Sequence, residues 1–292
     1  MWADSLTEAE VEGTLSAADQ LDRINWAAPL LKRTEPILAR LRNGKVNRAT
    51  YRANPLQPSE MSFLFEIRFA YSLAMEGVTA EYEYSTGIGN TTVDFKVNLD
   101  PPWLVELVSL HESDAFKEAC FTSGELQGAI LSTNATDPRK SVEGEIIKAQ
   151  ERIGEKLLKK QRPIKFPEPN EAIHMVMVDA RGFLGIGICA DKANWRQIMY
   201  GPHGLGELTS FWKNPGTGQS EPIRGLFEKN CPARASRVIQ ERLHFIGVVC
   251  ERTFEAGEIK ERSCYYCNPA LFENEEEARI VLSHWPLIRT AV

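Results

Sequence analysis

The sequence is most informative first in what it lacks. In 292 residues no run of about 18 apolar side chains occurs, so no membrane-spanning helix is expected. The opening residues, MWADSLTEAEVEG, lack the basic start and apolar core of a secretory signal. Cysteine is sparse, at six, and without a signal these are expected as reduced thiols in a cytoplasmic protein. Cys264-Tyr-Tyr-Cys267 has no second CxxC to complete a zinc site, and an i,i+3 pair in a strand points to opposite faces. The five histidines form no HExxH and no serine stands in GxSxG, which leaves zinc-protease and serine-hydrolase chemistry without a carrier. GIGN at 87–90 lacks the spacing and the following helix of a phosphate loop. A net charge of −6 argues against a general nucleic-acid coat.

With 43% hydrophobic and 25% charged residues, the composition is that of a globular protein with a sizeable core. Residues 1–58 read as a helical extension. One helix covers about 5–25 and a second about 26–42, restarted near Pro36, and neither carries chemistry. Residues 59–292 read as one α/β domain. A helix runs from a Ser59 cap to Met75 and stops at Gly77, with Phe63, Ile67, Ala70 and Ala74 on one face. Strands follow at VTAEYEYS, VDFKV and WLVELVSL. HESDAFKEACF suggests a short helix, and a long helix over 141–162 is capped by Ser141 and stopped by Pro163. A buried strand spans 171–182. The Gly- and Pro-rich 201–222 reads as a long loop. Two strands joined around Ala256-Gly257 and a closing helix complete a central mixed sheet flanked by helices.

Three carboxylates fall where carboxylates are costly. Glu66 lies on the inward side of the 59–75 helix. Asp94 faces opposite Val93, Phe95 and Val97, and Glu106 interrupts an otherwise apolar strand. A buried ionised carboxylate costs several kcal/mol, on the order of 3–5, unless it is paired or bound to a cation. A shared divalent ion with oxygen ligands compensates all three at once. The alternative is pairing with arginines such as Arg68 or Arg181.

Helix with inward Glu, strand with Asp, strand with Glu a dozen residues later: this order resembles the PD-(D/E)XK nuclease-like superfamily over roughly residues 59–180. The resemblance implies a restriction-endonuclease-like core and a metal-dependent nuclease acting on DNA or RNA. Asp94 and Glu106 would ligate Mg²⁺ or Mn²⁺ with Glu66 in support, and homodimers occur among such enzymes. Two departures stand out: Val93 precedes the Asp where Pro is usual, and Val108 stands where the motif has Lys. The resemblance allows a displaced Lys. Lys96, two after Asp94, and Lys160, on the inward line of the 141–162 helix, are the catalytic candidates, with Lys156 beside the latter. Residues 139–165 carry nine Lys/Arg against four Glu. Within that stretch Lys148, Gln150, Arg152 and Lys156 are candidates for contacting nucleic acid, against the alternative of a solvated helix face laced with i,i+4 pairs. The rival function is a catalytically inactive member serving as a binding or assembly module, which Val108 favours.

Overall fold

The computed structural model describes residues 6–46, 58–111, 120–123, 126–129, 141–158, 164–181, 192–204, 211–213 and 216–289. Helices α1 (Glu8–Leu21), α2 (Ala28–Val46) and α3 (Pro58–Met75) come first. Strands β1 (Ala80–Ser85), β2 (Thr92–Val97) and β3 (Trp103–Ser109) follow. A small ribbon of β4 (Cys120–Ser123) and β5 (Leu126–Ala129) precedes α4 (Val142–Leu157) and β6 (Ile173–Asp179). Then come α5 (Lys192–Tyr200), a second ribbon of β7 (Phe211–Lys213) and β8 (Ser220–Pro222), and α6 (Ser236–Arg242). The described elements end with β9 (Phe245–Val249), α7 (Glu258–Arg262), β10 (Ser263–Cys267) and α8 (Glu275–Ser283).

Six strands form one mixed sheet in the order β1-β2-β3-β6-β9-β10. The two ends are antiparallel, while β3, β6 and β9 run parallel in the middle. Alternation along β3 divides its side chains between two cores. Trp103, Val105 and Leu107 face the layer of α1–α3. Leu104 and Val108 face α4, which contributes Ile146, Ala149, Ile153 and Leu157. The chain is thus a three-layer α/β domain, with helices covering both faces of the sheet.

Several local expectations change. α2 runs unbroken through Pro36. The hydroxyl of Thr34 donates to Leu30 O at 2.9 Å one turn back, and Leu30, Ile37, Leu38 and Leu41 are buried in the first core. Tertiary burial outweighs the hydrogen bond that proline removes. The extension helices α1 and α2 pack into the same core as α3. α3 is buried nearly all round from Leu64 to Leu73, not on one face, and it starts at Pro58, so Ser59 lies in its first turn. Its end is as expected. Gly77 takes φ +73° and Val78 N–H returns to Leu73 O at 3.0 Å, closing a Schellman-type cap. α4 is capped by Ser141, whose hydroxyl accepts from Gly144 N–H at 3.0 Å, but it ends at Leu157, short of Pro163. The connection between β9 and β10 contains α7. There Glu258 folds back to accept the N–H groups of Arg252, Thr253 and Phe254. The 201–222 stretch holds β7 and β8. Within 111–121, residues 112–119 lie outside the described residues.

A buried ionic network fastens the first layer to the sheet. The Arg68 guanidinium of α3 bonds Glu251 at 3.0 Å and Thr14 of α1 at 3.0 Å. Arg181, just past β6, pairs with Asp179 at 2.9 Å and with Glu10 of α1. The Phe254 ring lies 5.0 Å from the Arg68 guanidinium and 5.5 Å from that of Arg181. Burial pushes the Asp179 carboxyl up to about 7 despite Arg68 nearby.

Candidate active site

The β2–β3 ladder pairs Lys96 with Leu104 and Phe95 with Val105, so the next step brings Asp94 level with Glu106. Asp94 Oδ2 accepts the N–H of Leu107 at 2.7 Å, which fixes its carboxylate against β3. On its other side Asp94 lies level with Glu83 of β1. This residue adopts φ +50° between the paired Tyr82 and Tyr84. A non-glycine in that region costs on the order of 1–3 kcal/mol and persists where surroundings demand it.

Glu106 is fully buried, and its carboxyl is pushed up to about 7, first by burial and then by the charge of Asp94. Two ammonium groups oppose this: Lys165 bonds Oε1, and Lys156 lies 3.6 Å from the same oxygen. Among the described residues Oε2 has no hydrogen-bond partner. Glu66 reaches the same charge cluster from α3. It is 8% exposed, and burial followed by Asp94 raises its carboxyl to about 7. The Tyr82 hydroxyl donates to Glu66 at 2.7 Å and lowers that value, as do Arg33 and Lys156. Burial alone would depress Lys156, but Asp94, Glu106 and Glu66 together raise it, so it remains an ammonium.

The three acids therefore share one electrostatic neighbourhood. The arginines that offered an alternative are engaged elsewhere, Arg68 with Glu251 and Arg181 with Asp179 and Glu10. Val108 is a core residue, 4% exposed, facing α4. Lys96 bonds Glu81 at 2.8 Å and lies 4.6 Å from the Tyr84 ring; both contacts are with β1, away from Glu106. Lys160 lies outside the described residues, and α4 ends three positions before it. Lys148 pairs with Glu145 at 2.8 Å and Arg152 with Glu155 at 3.0 Å. Gln150 is buried, donating to the carbonyls of Ile198 and Arg224 at 3.0 and 2.7 Å. Among the described residues of that set, Lys156 is the one that approaches the acids.

Two cations were not singled out from sequence. Lys165 follows Pro163 in a connection with no periodicity, and only the local excess of basic residues hinted at it. Arg33, on α2, lies 4.9 Å over the Phe63 ring, bonds Glu83, and acts on Glu66 and Asp94. Nothing in the 26–42 pattern distinguishes it.

Among the described residues no three His, Cys, Asp or Glu side chains form a complete metal-ligating group. Mg²⁺ does not need one, since it commonly takes one or two carboxylates and keeps its remaining positions for water and phosphate oxygens. Glu106 Oε2, unpartnered among the described residues and beside Asp94, with two crowded carboxyls driven up by burial and then by like charge, fits such a cation. No family model matches the chain, and comparison with curated proteins and with solved structures found no similar one. No described helix is long and apolar enough to cross a membrane.

Proposed function

We propose that the chain is a divergent PD-(D/E)XK-like, metal-dependent phosphodiesterase acting on DNA or RNA, with a restriction-endonuclease-like core. The observation that carries this is the approach of Lys156 to Glu106, where the residue two after the Glu is an apolar valine. An ammonium from α4 then occupies the electrostatic place that Val108 vacates. Asp94 and Glu106 would hold Mg²⁺ or Mn²⁺, with Glu66 supporting them. Such an ion, when bound, supplies Lewis-acid polarisation of a phosphoryl oxygen. Lys156 stabilises the charge that develops on the attacked phosphate, a contribution of roughly 10²–10³ in rate for one well-placed donor. Leu107 N–H orients Asp94, and Tyr82 orients Glu66.

A second reading has its own observation. Lys165 and Lys156 both address Glu106 Oε1, so two ammoniums already balance one carboxylate. That is what an inactive member serving as a binding module would show. Cleavage of single- and double-stranded DNA and of RNA with Mg²⁺ or Mn²⁺ separates the two. The enzyme cuts, and Asp94→Ala and Glu106→Ala abolish the cutting. No cutting by the native chain, with no metal-dependent rise in melting temperature, leaves the binding module.

A further inference from the structure

At the far edge of the sheet from β1, four guanidiniums line a groove beside β10. Arg252, Arg262 and Arg289 surround a hollow of about 310 Å³. Arg196 lines a neighbouring hollow of about 370 Å³, and the two share Cys264 and Tyr266. All four arginines are exposed, and among the described residues none makes an ion pair. Glu261 is the one acid lining the two hollows, which leaves a local balance of +3 on a chain whose net charge is −6. This contrasts with α4, where Lys148 and Arg152 are paired internally.

We infer that this groove is a binding site for the phosphodiester backbone of nucleic acid. The inference rests on the proposed activity and names where the substrate is held outside the acid cluster. The planar guanidinium fork matches phosphate oxygens bidentately, and its charge does not titrate away. The floor residues Trp195 and Tyr266 are buried, and the half-buried Tyr200 and Tyr265 are tied down through their hydroxyls to Cys267 O and Leu287 O, so the exposed arginines, which read the backbone, dominate the groove. An acidic peptide added to the β10 edge fits less well. β10 is five residues long, and Cys267 O already accepts the Tyr200 hydroxyl at 2.9 Å. Three strand spacings separate β3 from β10, at least about 14 Å, which about four phosphates of a duplex strand span.

The test is binding of a fluorescent single-stranded 20-nucleotide DNA in EDTA, titrated over salt, with R252A/R262A/R289A beside R252K/R262K/R289K. Each lost phosphate contact flattens the log–log salt slope by about 0.7, so the alanine variant is expected to lose about 2 from the slope. Its affinity at 0.1 M salt then falls on the order of a hundredfold, while the lysine variant keeps the native slope. Matching melting temperatures exclude unfolding as the cause. Native affinity and slope in the alanine variant overturn the inference. So does absence of binding by the native chain, or tighter binding of a glutamate-rich peptide of equal charge. Because no metal is present, these failures leave the cleavage test of Asp94 and Glu106 standing.

Discussion

Replacing Glu106 with glutamine removes a charge the fold holds at a cost, so the variant should be more stable than the native chain above neutrality. Glu106 ordinarily titrates at 4.5 and is raised to about 7 here. At roughly 1.4 kcal/mol per pKa unit, that shift corresponds to about 3 kcal/mol of destabilisation by the ionised form. Below about pH 4.5 the carboxyl is neutral in both folded and unfolded states, and the penalty is absent. Between 4.5 and about 7 the folded state holds a proton the unfolded state has lost, so stability falls as pH rises; above 7 the penalty is constant. Lys156 and Lys165 lose their partner, but their side chains are 30% and 24% exposed and can rehydrate. At about 2 °C per kcal/mol, Glu106→Gln should melt within about 2 °C of native at pH 5 and about 6 °C above it at pH 8.5. Taking the difference between the two proteins cancels His174 and His244, which burial lowers to about 4 and whose effect on stability has the opposite sign. Thermal denaturation by circular dichroism across pH 5–8.5 measures it. A difference that does not vary with pH, or a variant less stable at pH 8.5, would refute the reasoning that burial of Glu106 outweighs its two lysine partners.

On the proposed reaction, Lys156→Met should lower kcat about 10²–10³-fold, while Lys96→Ala, which removes a partner of Glu81, should leave it unchanged in the same cleavage assay. Glu251→Gln strips the charge that neutralises buried Arg68 and should cost about 3–5 kcal/mol in urea denaturation; a loss under about 1 kcal/mol would show the pair to be dispensable. Gly13→Ala places a methyl 2.3 Å from Phe254 O, a backbone atom, and should cost about 1–3 kcal/mol by thermal melting; an unchanged melting temperature would show that α1 does not press on Phe254.

Much of the sheet's first half is legible in sequence because strand alternation is unforgiving. Val105 and Leu107 can face one core only if Glu106 faces the other, and that arithmetic places the acid without coordinates. Ser141 is likewise readable as a cap because its chemistry is local. What escapes is set by distant partners. Lys165 becomes a neighbour of Glu106 through a connection 59 residues away, and no periodicity encodes that meeting. Arg33 looks like any solvated helical arginine until α2 lies against α3 and β1. Pro36 suggests a break because proline's local cost is visible, whereas the burial of Leu30, Ile37 and Leu38 that outweighs it is not. The approach of Lys156 to Glu106 is likewise unreadable, since the helical line places that lysine only at the border of the inward face.

The strand order has a consequence for how the chain is made. β6 is flanked by β3, which precedes it by some 70 residues, and by β9, which follows it by about as many. During synthesis at about 5–20 residues per second, the run His174–Val178 therefore waits several seconds with one backbone edge unpaired. The apolar stacking of Trp285 on Trp103 and Phe69 comes later still. A nascent chain holding an open, apolar strand edge for that interval is a substrate for holdase chaperones. Recovery of native protein should therefore depend more on growth temperature and chaperone supply than on the stability of the finished fold.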